Sequence, residues 1–450
     1  MNALVEPTKV LRNANPDLYD FGRRPAEAKK SNERIAVIGL GYVGLPLAVR
    51  LASSYADVTG FDISSERVLD LTRGVDATRE VGAATLMSSS LEVTADTAEL
   101  GDVSFYIVAV PTPITDAKQP DFAPLDSACR AIAPHLRKGD IVVFESTVYP
   151  GATEEHCGKV LERYSGFRAG VDFSLGYSPE RINPGDKENT IESIVKVVAG
   201  DTPEALDRIA AVYETVIDAG IHRAPSIKVA ECSKVLENTQ RDVNIALMNE
   251  VSQICDKVGI ATEDVIDAAS TKWNFMPFTP GLVGGHCIGV DPYYLASVAE
   301  QHGLRPELIS ASRRINDGMV DHVVDSAVRM LLQANVTVRD AKIAIYGVTF
   351  KENVPDTRNS KVVDVIAGLN ELGFRPSVHD LHCSSADAQK LGLVVTEPDT
   401  ANPVDLVILA TPHNEYAQDE SMLDRGAIFM DLRGAFFHAP KPKGTIYWSL

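Results

Sequence analysis

The stretch Arg34-Ile-Ala-Val-Ile-Gly-Leu-Gly-Tyr-Val-Gly-Leu-Pro-Leu-Ala-Val-Arg50 decides the fold. Residues 34–40 form a short apolar run that reads as a buried strand, and residues 43–55 continue as a helix. At the junction stands Gly39-Leu40-Gly41-Tyr42-Val43-Gly44. The first glycine permits a tight turn, the second lets backbone approach a pyrophosphate, and the third lets the helix pack on the sheet. The helix N-terminus then favours the phosphate charge. The next strand, 57–62, ends in Asp62. An acid at that point accepts hydrogen bonds from the ribose hydroxyls of adenosine and repels a 2′-phosphate, which favours NAD over NADP. A glycine-rich turn that binds nothing is the alternative for the glycines alone. The strand before them, the helix after them and Asp62 select the dinucleotide.

Outward from this unit, residues 103–113 and 140–147 are further strand-then-turn segments, so strands alternate with helices as in a parallel, doubly wound sheet. The segment 226–259 differs. Val229, Cys232, Leu236, Val243, Leu247, Val251, Ile254 and Val258 recur at helical spacing, and neither Gly nor Pro occurs from 227 to 258. This predicts one long amphipathic helix that spans domains or supports an oligomer interface, with a plain surface helix as the alternative. Alternation returns at 341–350, 376–380, 404–411 and 427–434. The fold class is therefore α/β, with two Rossmann-like doubly wound domains joined by a long central helix and a helical middle domain. The expected boundaries are a flexible extension at 1–30, a dinucleotide-binding domain at 31–225, the helical domain at 226–325 and a second Rossmann-like domain at 326–450. The second α/β domain lacks the glycine fingerprint, since its first strand ends in Gly347-Val-Thr-Phe-Lys351. Its cations Lys351, Arg358 and Arg433 follow strand ends, where they either contact phosphate or are plain surface charges.

With 450 residues the chain has room for two or three domains. Its formal charge of −19 argues against binding duplex nucleic acid through its overall field. The six cysteines include no C-x-x-C pair, so neither a zinc site nor a disulfide framework is indicated, and no metal is expected. Residues 1–30 have no apolar signal-peptide core, and the apolar run 35–49 is too short for a membrane span. These features read as a cytoplasmic chain with reduced thiols.

Gly284-Gly285-His286-Cys287-Ile288-Gly289-Val290-Asp291-Pro292 carries the chemistry. The paired glycines let a ligand approach the backbone, and Asp291 shares a face with Cys287 if the segment is helical. A cysteine is more often a core residue than a nucleophile. Beside a dinucleotide site, however, a thiol can take an aldehyde as a thiohemiacetal and deliver it as a thioester. His286 has no second ligand at metal spacing and is read as positional.

GLGYVGLPLA, VPTP (110–113), EST (145–147), YSPERINPGD (177–186), AECSKVLENT (230–239), GGHCIGVDPYYL (284–295) and TFKENVPDTRNSK (349–361) occur in that order. Together they resemble the UDP-glucose/UDP-N-acetylhexosamine 6-dehydrogenases over about residues 33–435. The resemblance implies four-electron, NAD-dependent oxidation of the C6 alcohol of a UDP-sugar, with Cys287 as nucleophile. It implies that Lys234 stabilises an oxyanion and that Asn238 holds substrate oxygen, on one helical face. Asp291, Thr147 and Glu180 become the water-positioning and acid/base set. Tyr42, Val43, Arg67, Thr112, Thr147 and Arg358 join Gly39, Gly41, Gly44 and Asp62 around NAD. Glu180, Arg181, Lys234, Asn238, Arg241, Phe278, Gly284 and Lys351 line the substrate. A homodimer or higher homo-oligomer, with the long helices packed together, is implied as well.

Departures from the family pattern refine the expectation. A second Glu is typical where Pro184 stands, and a Lys is typical at Val290. Arg181 and the NTQRDVNIALMNE segment point to the N-acetylhexosamine branch of bacterial surface-polysaccharide synthesis, with UDP-N-acetylglucosamine ahead of UDP-N-acetylgalactosamine. UDP-glucose and UDP-N-acetylmannosamine are the alternative substrates. A two-electron β-hydroxyacid dehydrogenase and a non-catalytic nucleotide-sugar scaffold are the remote alternatives.

Overall fold

The computed structural model describes residues 33–115, 118–182, 191–285, 287–337, 340–398 and 403–450. The N-terminal extension, Pro184 and His286 lie outside them. The described chain divides into two compact units. One holds residues 33–237 and 293–303, the other 238–292 and 304–450, with the division inside the long helix.

The first unit is built on strands β1 (Ile35–Ile38), β2 (Val58–Phe61), β3 (Glu92–Thr94), β4 (Phe105–Val108), β5 (Ile141–Phe144), β6 (Ser174–Tyr177), β7 (Lys196–Gly200) and β8 (Ile221–Arg223), in the spatial order β3-β2-β1-β4-β5-β6-β7-β8. All pairings are parallel except β6–β7. β1, β4 and β5 are buried along their whole length. Alternate residues serve opposite cores. Ala36, Ile38, Tyr106, Val108, Val142 and Phe144 face one, and Ile35, Val37, Phe105, Ile107, Ile141 and Val143 the other. Burial on both faces explains why these strands read as continuous apolar runs rather than as alternating ones. Helices α1 (Gly44–Ala52), α2 (Ser65–Thr72), α3 (Ala83–Ser88), α4 (Ala123–Ile132), α5 (Gly158–Ser165) and α6 (Pro203–Tyr213) belong to this unit. Ser64 and Thr202 cap α2 and α6 by accepting from Arg67 N and Ala205 N.

Helix α7 (Ile227–Val258) is the predicted long helix. Its buried face includes Glu231, Lys234, Asn238, Thr239, Asp242, Asn249 and Ser252. Its apolar stripe, with Val229, Leu236, Leu247, Ile254 and Val258, is exposed. Ile227, Ala230, Val235, Ala246, Met248 and Cys255 are buried with the polar residues, so the inward face is mixed and the outer stripe apolar.

The second unit contains α8 (Thr262–Ser270) and α10 (Glu307–Gln333), while α9 (Asp291–Gln301) begins in it and continues in the first. A five-stranded parallel sheet orders β10 (Ser377–His379), β9 (Ile343–Tyr346), β11 (Val404–Leu409), β12 (Gly426–Asp431) and β13 (Ile446–Ser449). Helices α11 (Lys361–Glu371), α12 (Ser385–Lys390) and α13 (Asn414–Ala417) complete it.

The two sheets share a device that the sequence hides. Asp62, after β2, accepts from Leu40 N and Ser64 N through its two oxygens. Asp380, after β10, accepts from Val348 N and His382 N in the same way. The copies differ at the carboxylate. Burial opposes ionisation of Asp380, but buried His413, 3.3 Å away, and the backbone N–H groups hold its carboxyl down to about 2. Asp380 is thus engaged by His413, a partner that Asp62 lacks among the described residues.

Candidate active site

In the first unit the glycine turn lies at the carboxyl end of β1. Gly39 has φ +95°, and a Cβ there would lie 2.9 Å from the Ala109 carbonyl oxygen. A Cβ on Gly44 would collide with Gly39 O, so α1 packs against the turn as closely as backbone allows. A Cβ on Gly41 would meet no protein atom within 4 Å. That open side is where a pyrophosphate can approach the backbone. Arg67 donates from Nε and Nη2 to Leu40 O and from Nη2 to Asp76, fixing the turn from behind. Its Nη1 is buried without a hydrogen-bond partner. Asp62, half-buried, retains lone pairs beside its two backbone donors. Tyr42 and Val43 are half-buried at the same turn. Thr112 donates to Thr147 O (2.6 Å), tying the loops after β4 and β5 together, and Tyr294 donates to Thr112 O (2.7 Å). These residues fit NAD.

The loop after β5 is also held to α7. Glu231, fully buried, accepts from Gly151 N and Thr153 N, and burial pushes its carboxyl up to about 7.

Glu180 follows β6 and is nearly buried. Its Oε1 accepts from the amides of Arg181 and Ile182. Lys196 Nζ stands 3.5 Å from Glu180 Oε2 and 3.2 Å from Glu145 Oε2. Tyr213, from α6, donates to Glu145 Oε1. Burial works against the Lys196 charge, but the two carboxylates hold its pKa above the ordinary lysine value, while burial raises the Glu145 carboxyl. Arg181, read from the sequence as a substrate contact, has its guanidinium engaged by protein. It pairs with Glu237 at 2.8 Å and donates from Nη1 to Val195 O. Lys234 is buried on the same helix, three residues before Glu237.

In the second unit the Cys287 carbonyl accepts from Val290 N (3.0 Å) and Asp291 N (2.9 Å). Cys287 thus leads the turn that becomes α9, and Asp291 follows one turn later, as helical spacing predicts. Buried Asp291 accepts from Asn238 Nδ2 at 2.6 Å, joining the cysteine turn to α7. The paired glycines before it also allow close packing within the chain. A Cβ on Gly284 would lie 2.8 Å from Asn359 O, and Gly285, at φ +81°, packs on the Phe350 ring.

Asn249 grips the start of this loop. It accepts from Gly281 N (2.8 Å) and donates to Gly281 O (3.1 Å) and to Asn316 Oδ1 (2.8 Å). Asn316 donates to Asp242, which also pairs with Arg313. Nothing in the sequence singled out this buried chain. Phe278 and Lys351 are half-buried and Arg241 is exposed. Arg358, expected at the cofactor, makes a two-point pair with Asp356, its Nη2 2.6 Å from Oδ2.

Among the described residues no group of His, Cys, Asp and Glu has the arrangement to hold a metal ion, and no helix is long and apolar enough to cross a membrane. None of the six cysteines, all of them among the described residues, is joined in a disulfide.

Comparison with known proteins covers this whole arrangement. Residues 33–217 match the NAD binding domain of the UDP-glucose/GDP-mannose dehydrogenase family, 228–318 its central domain and 344–438 its UDP binding domain. A UDP-N-acetyl-D-glucosamine 6-dehydrogenase of Pseudomonas aeruginosa is 51% identical over 385 residues, covering 85% of this chain and 91% of that protein. One from Salmonella typhi is 44% identical over 395 residues, covering 87% and 93%. The solved structure of a UDP-D-ManNAc dehydrogenase from Pyrococcus horikoshii superposes with a TM-score of 0.84 at 31% identity, covering 92% of this chain and 98% of that one. The glycine turn with Asp62, the cysteine turn with Asp291, and the family match along the chain lead to one conclusion: this protein belongs to the UDP-glucose/GDP-mannose dehydrogenase family and is an NAD-dependent nucleotide-sugar dehydrogenase.

Proposed function

We propose that the protein oxidises the C6 hydroxyl of UDP-N-acetylglucosamine to the carboxylate, supplying a uronic acid donor for surface-polysaccharide synthesis. The observation that carries the chemistry is the chain from Cys287 through its turn to Asp291 and on to Asn238. It gives a thiol a carboxylate one turn away, itself oriented by an amide on α7. NAD, when bound, accepts a hydride from C6 in each of two oxidations. In the first, the alcohol loses a hydride and a proton to become the aldehyde. The Cys287 thiol adds across the carbonyl, forming the C–S bond of a thiohemiacetal, and the second oxidation makes the thioester. Water then breaks the C–S bond, releasing carboxylate and thiol. Lys234 stabilises the oxyanion on C6, and Asn238 holds substrate oxygen. Glu180 and Asp291 handle protons and the hydrolytic water, with Thr147 beside them. Lys351 and Phe278 serve the nucleotide-sugar, as does the loop at Gly284.

The N-acetylglucosamine assignment rests on the identities of 51% and 44% to enzymes so named, above the 34% to a UDP-N-acetyl-D-mannosamine dehydrogenase. UDP-N-acetylgalactosamine is next in order. Following NADH with UDP-GlcNAc, UDP-GalNAc, UDP-ManNAc and UDP-Glc side by side tests it. The highest kcat/KM belongs to UDP-GlcNAc, and a preference for UDP-Glc or UDP-ManNAc overturns the substrate.

We further propose a homodimer through α7. Val229, Leu236, Leu247, Ile254 and Val258 are exposed along one side of it, a continuous apolar stripe that a second copy would cover. Reduced thiols and the need for NAD fit the cytoplasm.

A further inference from the structure

β7 runs antiparallel to β6, with Gly176↔Gly200 and Tyr177↔Ala199 in register, and parallel to β8. Extending that register past the end of β6 sets position 196 opposite position 180. A parallel strand would bring its carboxyl end to this edge. The reversal instead brings the first residue of β7, a lysine, to the edge where the loops after β5 and β6 carry Glu145 and Glu180.

We infer that Lys196 is a positioning residue of the dehydrogenase reaction, holding Glu180 in place through a buried carboxylate–ammonium–carboxylate bridge with Glu145. The inference rests on the assignment of Glu180 to proton handling given above. Lys196 and Glu145 are buried to 4% and 1% exposure, and Glu180 is 9% exposed, so of the three only Glu180 reaches the solvent side. Nζ is 3.2 Å from Glu145 and 3.5 Å from Glu180. Tyr213, whose ring lies 5.3 Å from Nζ, donates to the other Glu145 oxygen. Backbone amides of Arg181 and Ile182 take Glu180 Oε1. Glu180 Oε2, itself buried, faces the ammonium at 3.5 Å. Among the described residues, the titratable and charged groups around Glu180 are Lys196 from β7, Glu145 from the β5 loop, Tyr213 from α6, and Arg181, next to it after β6, with its partner Glu237 on α7. A buried pair of carboxylates requires a cation, and a cation shared between them fixes both positions.

The test is a charge-matched double variant, Lys196→Met with Glu145→Gln, which removes one charge of each sign and leaves Glu180 intact. It is compared with Lys196→Arg and Glu180→Gln in the full-length enzyme. The double variant should fold, lose kcat at neutral pH by about tenfold or more, and change KM for UDP-GlcNAc less than about threefold, because Glu180 is no longer held in place while the substrate contacts remain. Lys196→Arg, which keeps the cation, should hold kcat within a few-fold of wild type. A folded double variant with the wild-type kcat, beside a slow Glu180→Gln, overturns the role of Lys196 alone. A Glu180→Gln enzyme with the wild-type kcat overturns the assignment of Glu180 and this inference with it. If Lys196→Met alone fails to fold, the double variant still decides.

Discussion

Replacing Asn249 with alanine removes the two-point grip of α7 on Gly281. Three hydrogen bonds go at once: Gly281 N to Oδ1 at 2.8 Å, Nδ2 to Gly281 O at 3.1 Å, and Nδ2 to Asn316 Oδ1 at 2.8 Å. Asn249 and Asn316 are fully buried. Asn316 still donates to Asp242, so it loses only an acceptor's partner. The Gly281 N–H and C=O both lose theirs. A buried polar group left unpaired costs about 1–3 kcal/mol, and water entering the vacated volume recovers part of it. The net loss is therefore about 2–4 kcal/mol, a large part of the roughly 5–15 kcal/mol that holds a domain together. Urea unfolding should show a lowered midpoint with an unchanged slope. Because Gly281 begins the stretch leading to Cys287, alkylation of Cys287 by iodoacetamide, followed on its peptide by mass spectrometry, should accelerate in the variant below its unfolding range. Asn249→Asp should not rescue, since a carboxylate cannot donate to Gly281 O or Asn316 Oδ1. A stability change under about 0.5 kcal/mol with unaltered alkylation would refute the reasoning.

Asp62→Asn should raise KM for NAD by about tenfold and narrow the preference for NAD over NADP, measured as the ratio of kcat/KM values, because the negative charge that rejects a 2′-phosphate is gone. Glu231 gives a pH signature. Its carboxyl is raised to about 7 from an ordinary 4.5, so its contribution to stability is complete below about pH 4.5 and is lost as pH rises through 7. Glu231→Gln lacks that dependence, so wild type should lose roughly 3 kcal/mol relative to the variant between pH 4.5 and 8 in denaturant titrations, and parallel curves would contradict it. Leu247→Glu with Ile254→Glu places charge on the exposed stripe of α7. Light scattering should find a monomer where wild type is a dimer, with circular dichroism unchanged, and an unaltered mass would dismiss that face as the interface.

The sequence was most readable where structure is local. The strands at 35–38, 58–61, 105–108 and 141–144, and the helix at 227–258, lie within the predicted segments, because a doubly buried parallel strand leaves an apolar run and a long helix leaves a period. β3, β6, β7, β8 and β13 escaped notice. They are short or carry polar residues, such as Ser174, Lys196 and His222. The helical spacing of α7 was legible, but which side faces inward was not. The buried side mixes apolar residues with Lys234, Asn238 and the Asp242–Asn249 chain, and an apolar stripe is left outside, so hydrophobicity alone does not mark the inner face. Cys287 and Asp291 were found together because four residues separate them. Glu145, Lys196 and Tyr213 were missed because they come from three separated segments, and only the reversal of β7 assembles them with Glu180. Arg181 and Arg358, which the motifs assign to ligands, each also pair with a nearby carboxylate, Glu237 and Asp356, a partner that the motif alone does not reveal.

The central claim is four-electron oxidation through Cys287. The most direct measurement is the ratio of NADH formed to UDP-N-acetylglucosamine consumed, with the sugar product identified by mass spectrometry, in wild type and in Cys287→Ser. Wild type should form two NADH per sugar with carboxylate as product, and Cys287→Ser should fail to release carboxylate. One NADH per sugar with an aldehyde product, or carboxylate formed by Cys287→Ser at the wild-type rate, would contradict it.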